Sequence, residues 1–281
     1  QGLEIICPIE KSEFAIALTK SAYKYGAKIV NVRWNCDKID KLNYTYASTE
    51  TLTDIPKWLV DSKNYLVQNN FCYIAVAADD PEVFKDIPAQ KLFEVSRAKS
   101  KALKKFSDCV MANGIRWCVV SVPTYAWAKK AFPTAKDPVE SLSKQIESAM
   151  RLDADVPLSN WEQHISTLEK RAKFLNNARF SYLEFKNEKG TDLKVGLCDN
   201  HIWTCAREIA KDGVPFVANM PTEEIFTAPH RLRVDGVLKS AMPLCSNGQI
   251  IDEFTITFKN GKIVDFYAKE GYEALKGLIQ T

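Results

Sequence analysis

The sequence lacks several patterns that mark common classes of protein. It has no run of about 18 apolar residues, so we predict no membrane-spanning helix. Its formal net charge of +3 over 281 residues is too small to indicate a nucleic-acid partner. None of its eight cysteines forms a CxxC pair, and several lie in apolar segments such as Phe71-Cys72-Tyr73-Ile74. We therefore interpret the cysteines as buried free thiols of a cytoplasmic protein, not as disulfides or a zinc site.

Histidine and phosphate-binding glycine motifs are also scarce. The three histidines, His164, His201 and His230, are scattered and match neither HExxH nor a similar pair of metal ligands. We interpret each as a surface or hydrogen-bonding residue. The first apolar run continues into Cys7-Pro8-Ile9-Glu10 and not into GxGxxG, which disfavours a dinucleotide-binding dehydrogenase.

The N-terminal part alternates short apolar runs with helical stretches. Continuous apolar runs are typical of strands buried on both faces of a parallel sheet, and alternating strands and helices predict right-handed crossovers. The fold class we predict is α/β, with a Rossmann-like N-terminal domain and a mainly parallel sheet. The predicted strands are residues 3–7, 27–34, 71–78 and 116–122, and the predicted helices are residues 12–25, 49–68, 88–112, 125–132, 139–152 and 158–177.

The pattern changes near residue 180, where strands begin to pair locally. Residues 181–185 and 192–197 form one predicted hairpin, and residues 254–258 and 263–268 form another. The second hairpin turns at Asn260-Gly261, which is a strong hairpin signal because both positions tolerate positive φ. We place a domain boundary at residue 178. Residues 1–178 are then the α/β domain, and residues 179–281 are a partial, mainly antiparallel α+β domain.

One segment of the second region, from Asn219 to Gly236, concentrates acidic residues between prolines. Glu223 and Glu224 are adjacent, with Pro221 before them and Pro229 after them, and proline restricts how freely such a segment moves. Two neighbouring carboxylates repel each other unless a cation, a proton or a basic side chain relieves them. The segment is therefore either a solvated acidic turn or a carboxylate site.

This segment resembles the signature of the thermophilic metallo-aminopeptidase family, which includes aminopeptidases T and S. The order and spacing of further segments strengthen the resemblance over nearly the whole chain. These segments are 123–128 ahead of Phe132-Pro133, Gly190-Thr191-Asp192-Leu193 with Gly196-Leu197, His201-Ile202-Trp203, and 244–258 running into Lys259-Asn260-Gly261-Lys262.

The resemblance implies a metal-dependent aminopeptidase that removes N-terminal residues from peptides and works as a homodimer. It also implies a site with two divalent metal ions (zinc, cobalt or manganese), built from two glutamates, two histidines and an aspartate. The family keeps a glutamate directly before the hydrophobic-Phe-Thr-Ala-Pro run, and Glu224 occupies that position. We expect Glu224 to be a metal-binding carboxylate and Glu223 to be its non-binding neighbour.

The remaining ligands lie further toward the C-terminus in the family, beyond Gln280-Thr281 of this sequence. We therefore expect a fragment that lacks the N-terminal start and whose C-terminal catalytic domain is incomplete, and we expect it to be inactive by itself. The alternative is a non-catalytic α/β ligand-binding or interaction protein that lacks the metal site. A continuation of the gene into a segment rich in histidine and aspartate would favour the enzyme.

Overall fold

The structure is a computed structural model that describes residues 1–152 and 156–280. The N-terminal half alternates strands and helices, as the sequence predicts. Its elements are β1 (Gly2–Pro8), α1 (Ser12–Lys24), β2 (Ile29–Asn35), α2 (Asp37–Tyr46), α3 (Thr49–Thr53), α4 (Lys57–Gln68), β3 (Cys72–Ala77), α5 (Ala89–Ala102), α6 (Lys104–Met111), β4 (Trp117–Ser121), α7 (Tyr125–Ala131), α8 (Pro138–Ala149) and α9 (Pro157–Ala178).

The rest of the chain consists mainly of strands. They are β5 (Tyr182–Lys186), β6 (Asp192–Leu197), β7 (Thr204–Cys205), β8 (Arg207–Ile209), β9 (Pro215–Val217), β10 (Asn219–Met220), β11 (Ile225–Phe226), β12 (Pro229–Lys239), β13 (Leu244–Ser246), β14 (Gln249–Lys259) and β15 (Lys262–Glu270), followed by α10 (Tyr272–Gln280).

The first sheet has the strand order β2-β1-β3-β4-β10, and every pair in it is parallel. This confirms the predicted parallel α/β layer. Apolar side chains bury both faces of the sheet: Ile5 and Cys7 are fully buried against α1, while Leu66 and Phe106 pack on the other side with Ile115. The continuous apolar runs of the strands are explained by this double coverage.

Two helices predicted as single elements are each divided in the structure. The predicted helix over 49–68 is wrong as one element, because α3 ends at Thr53 and α4 begins at Lys57. Pro56 lies between them, and a proline disfavours helical backbone in the residue before it and lacks a donor for the helix. The predicted helix over 88–112 is α5 and α6, which are separated at Leu103. The helix α2 has no counterpart among the predicted elements.

The second sheet is antiparallel, as predicted, with the order β13-β14-β12-β6-β5 and with β15 paired to β14. Both predicted hairpins are present. Lys259 pairs with Lys262, and Asn260 and Gly261 between them have φ values of 51° and 74°. These positive values are those expected for a two-residue turn whose twist matches the strands.

The domain boundary at residue 178 stays a prediction, but one strand from the C-terminal side of it belongs to the first sheet. β10 lies in the C-terminal part of the sequence and yet completes the first sheet by pairing in parallel with β4. Gln249 of β14 also donates from its side-chain amide to the carbonyl oxygens of Phe84 and Ile87 in the N-terminal half, at 3.2 and 2.9 Å. The segment with the two glutamates therefore starts from the edge of the first sheet. None of the described helices is long and apolar enough to cross a membrane.

Candidate metal-binding segment

The loop Pro221–Glu224 is anchored at both of its ends. β10 fixes its start on β4, where Met220 pairs with Val120. β11 fixes its end, because Ile225 pairs with Cys205 of β7, and this pair packs against the core helix α9. The peptide bond between Met220 and Pro221 is cis. A loop of four residues between two such anchors presents its carboxylates in a defined place.

Thr222 is the internal anchor of the loop. It is 8% exposed, and its hydroxyl accepts a hydrogen bond from the backbone N–H of Glu224 at 3.3 Å. Its backbone carbonyl lies 2.8 Å from Nε2 of His164 on α9. A buried carbonyl is costly without a donor, so this contact ties the loop to the helix.

Glu223 is paired with positive and polar groups. Its Oε1 lies 2.7 Å from a guanidinium nitrogen of Arg151, and its Oε2 lies 3.6 Å from His164 Nε2. The same guanidinium nitrogen lies 2.9 Å from His164 Nδ1. Because a guanidinium can only donate, Nδ1 accepts, which leaves Nε2 as the protonated nitrogen that donates to the Thr222 carbonyl. The bonds thus assign one neutral tautomer to His164.

Arg151 and His164 are themselves held in place. The His164 ring packs against the Trp161 ring at 5.6 Å between centroids, and the Arg151 guanidinium lies 5.9 Å from that same indole. The His164 side chain is 10% exposed and the Arg151 side chain 25%, whereas Glu223 is 63% exposed. The network therefore extends from the largely covered His164 and Arg151 side chains to the exposed Glu223 carboxylate.

Glu224 is different from its neighbour. It is exposed, and within the part of the chain that the structure describes its carboxylate has no hydrogen bond or ion pair. A free carboxylate beside a neutralised one suits a divalent cation, because carboxylate oxygens are common metal ligands. Glu224 fits one ligand position. No group of three or more His, Cys, Asp or Glu side chains among residues 1–152 and 156–280 could hold a metal ion, so the described residues do not complete a site.

The other two histidines lie elsewhere. His201 is 8% exposed, its Nδ1 lies 2.7 Å from the Cys198 carbonyl, and its ring meets Trp203 edge-on at 6.1 Å. Its Nε2 is buried with no partner among the described residues. His230 accepts from the backbone N–H of Leu232 at 3.2 Å. All three histidines make hydrogen bonds, as interpreted from the sequence; His201 is buried, and His164 and His230 are partly buried.

A second polar region lies at the carboxyl edge of the first sheet. A crevice of about 470 Å³ there is lined by both acidic and basic side chains, among them Lys38, Asp80, Glu82 and Lys129. Nearby, burial raises the pKa of the Asp37 carboxyl, and the neighbouring carboxylates Asp40 and Asp80 raise it further, although a hydrogen bond from the Asp80 backbone lowers it. In open α/β sheets this edge is where ligands bind.

Comparison with known proteins places the chain in a family. The family model described as thermophilic metalloprotease (M29) matches residues 1–281. Aminopeptidase AmpS of Bacillus subtilis (strain 168) is 35% identical over 271 residues, which are 96% of this chain and 66% of that protein. Aminopeptidase T of Thermus thermophilus is 32% identical over 285 residues, which cover 100% of this chain and 70% of that protein.

A solved structure agrees with the sequence relatives. Wild-type AmpT from Thermus thermophilus superposes with a TM-score of 0.89 at 30% identity, covering 100% of this chain and 70% of that one. The chain thus spans about two thirds of the length of the relatives it matches, 66% for AmpS. With a family match over its whole length and a shared fold, the chain belongs to the thermophilic metalloprotease (M29) family.

Proposed function

We propose that the protein is a metal-dependent aminopeptidase that releases N-terminal amino acids from peptides. The family match and the relatives that bear the name aminopeptidase support this proposal. The observation in the structure that supports it best is the contrast between two adjacent glutamates. Arg151 neutralises Glu223, and the Glu224 carboxylate stays free among the described residues.

The proposed cofactor is a pair of divalent metal ions, zinc, cobalt or manganese, with Glu224 as one ligand. Divalent ions bound for hydrolysis lower the pKa of a water molecule and polarise the scissile carbonyl. The contribution of this chain is a charged ligand on a loop that β10 and β11 hold at both ends. Residues other than those described would supply the remaining ligands, since no complete group occurs among residues 1–152 and 156–280.

One consequence concerns the 281-residue chain by itself. A cation that gives up water needs several ligands in return, and one carboxylate is not enough. We expect this chain alone to bind metal weakly and to show no turnover. Chelator-sensitive hydrolysis by the isolated chain would contradict the assignment of the remaining ligands to other residues. His201 and His230 would then be candidate metal ligands.

The proposal also includes a cytoplasmic homodimer that acts on peptide substrates. All eight cysteines are free, which is the usual state in a reducing compartment. Sedimentation equilibrium of the full-length protein tests the dimer, with twice the monomer mass as the expected result.

The activity is tested on the full-length protein with aminoacyl chromogenic substrates, before and after chelation. We expect activity to be lost with chelator and restored by zinc, cobalt or manganese, because carboxylate and imidazole ligands bind each of these ions. A matched panel of N-acetylated substrates should not be cleaved, since an aminopeptidase requires a free N-terminus.

The competing function is non-catalytic ligand binding by the α/β domain. It is favoured by one observation, the crevice of mixed charge at the carboxyl edge of the first sheet. Under that alternative, the full-length protein would hydrolyse no aminoacyl substrate with any of the three metals. It would bind a small charged ligand with unchanged affinity after substitution of Glu224.

A further inference from the structure

Adjacent glutamates could compete for the same cation. Both carboxylates are exposed and belong to one short loop, yet only Glu223 has charged and polar partners among the described residues. If Glu223 were as free as Glu224, a cation could be bound by either carboxylate, or by both, in place of the one defined geometry that catalysis needs. The side chains that bind Glu223 and leave Glu224 free are therefore part of the site.

We propose that Arg151 and His164 are positioning residues, which hold Glu223 against α9 so that Glu224 alone is free to bind metal. This inference rests on the proposed function. Arg151 binds the Glu223 carboxylate at 2.7 Å, and His164 binds the Thr222 carbonyl at 2.8 Å. The 2.9 Å contact between the guanidinium and His164 Nδ1 joins both interactions into one unit.

The conformation of Arg151 fits this role. Arg151 follows the end of α8 with φ of 59°, a left-handed conformation that residues with a side chain rarely adopt. There its guanidinium contacts the Ala149 carbonyl as well as His164 and Glu223. Several partners share one guanidinium, so its position is set by more than the single exposed carboxylate. An isolated surface ion pair would contribute much less order.

Electrostatics and the positioning role predict opposite changes in metal affinity when Arg151 is replaced. Loss of a positive charge near Glu224 favours a bound cation, so electrostatics alone predicts tighter metal binding. A released Glu223 carboxylate competes with Glu224 for the cation and draws it out of the one defined geometry, so the positioning role predicts weaker binding at the site. The sign of the change therefore separates the two explanations.

The experiment measures Co²⁺ affinity of the full-length protein by visible absorption, together with kcat and KM. Arg151→Gln should weaken Co²⁺ binding about tenfold, the lower end of what loss of a supporting contact costs a metal site. His164→Phe keeps the ring beside Trp161, changes no formal charge in the assigned tautomer, and should weaken binding in the same direction. Circular dichroism confirms that each variant is folded.

Recovery of Co²⁺ affinity in a double variant distinguishes the positioning role from a purely structural role, which predicts no recovery. In Arg151→Gln/Glu223→Gln the freed side chain is no longer a carboxylate, so Co²⁺ affinity should return to within about threefold of the wild type. Arg116→Gln is the matched control. Arg116 is 27% exposed, pairs with Asp212 at 3.4 Å, and lies before β4, at the opposite end from the loop. Its substitution should leave Co²⁺ affinity unchanged.

Each outcome has a definite meaning. Arg151→Gln with unchanged or tighter Co²⁺ binding overturns the positioning role, and so does a double variant no better than the single one. Failure of the proposed function gives a different result: Glu224→Gln would then bind Co²⁺ as the wild type does, or the wild type would bind none. Weak binding in Arg151→Gln, rescue in the double variant and loss in Glu224→Gln together support both.

Discussion

Lys63 offers a quantitative test of how burial and charge interact in the N-terminal half of the chain. It lies on α4 and is 7% exposed, and its ammonium has no hydrogen-bond acceptor among the described residues. The ammonium lies 4.7 Å from the ring centroid of Tyr73 and 5.1 Å from that of Phe106. It is a buried amine that faces two aromatic rings.

Burial lowers the pKa of Lys63 from 10.5 to about 8, with Arg33 lowering it further and Glu4 opposing the change. A folded-state pKa below the unfolded value means that the charged form destabilises the fold. The penalty is complete below the folded pKa and disappears as the pH rises from about 8 toward 10.5. A difference of roughly 2.5 pKa units corresponds to about 3 kcal/mol. Replacing the lysine also removes the packing of its aliphatic stem in this site, which reduces the gain from removing the charge.

We therefore expect Lys63→Met to raise the free energy of unfolding by about 1–2 kcal/mol at pH 7, because the thioether side chain fills the site without a charge. Urea unfolding at pH 7 and at pH 9.5 measures the difference, which should shrink at the higher pH. Lys24→Met, at an exposed position of α1, is the control and should change stability by less than about 0.5 kcal/mol. A Lys63→Met protein less stable than the wild type, or an advantage independent of pH, would refute this reasoning.

Three further results are expected. Gly261→Ala should destabilise the protein by more than about 1 kcal/mol in the same urea assay, because Gly261 has φ of 74° and an added Cβ would clash with the Arg231 carbonyl oxygen; wild-type stability would count against the turn geometry. Ile251→Ala should cost about 2–5 kcal/mol, since Ile251 is fully buried, and a smaller loss would mean that the core collapses around the cavity. Thiol titration in denaturant without reductant should find eight free thiols, whereas in the folded protein Cys118 should react slowly, because burial raises the pKa of its thiol to about 11.

Regular elements with a clear pattern could be predicted from the sequence. Continuous apolar runs identified the parallel strands, and Asn260-Gly261 identified the last hairpin, since both signals are local. The break at Pro56 was also local and was missed, because the apolar spacing on both sides of it matched one helix. β10 could not be predicted. It has two residues, and its partner Val119 is 100 positions away from Asn219.

The candidate site was only partly predictable for the same reason. The acidic pair and its prolines are visible in the sequence, and the choice of Glu224 came from the family resemblance. The partners that distinguish Glu223 from Glu224 have no sequence signal. Arg151 and His164 are 72 and 59 positions away from Glu223, and they meet it only because the end of α8 and the helix α9 both lie against the loop.

The most direct test of the central claim is the metal content and aminopeptidase activity of full-length Glu224→Gln, measured beside Glu223→Gln. An amide cannot balance the charge of a metal ion as a carboxylate does. We expect Glu224→Gln to lose bound metal and turnover while keeping its circular dichroism spectrum, and Glu223→Gln to keep most of both. Wild-type metal content and activity in Glu224→Gln would contradict the assignment of Glu224 as a metal ligand.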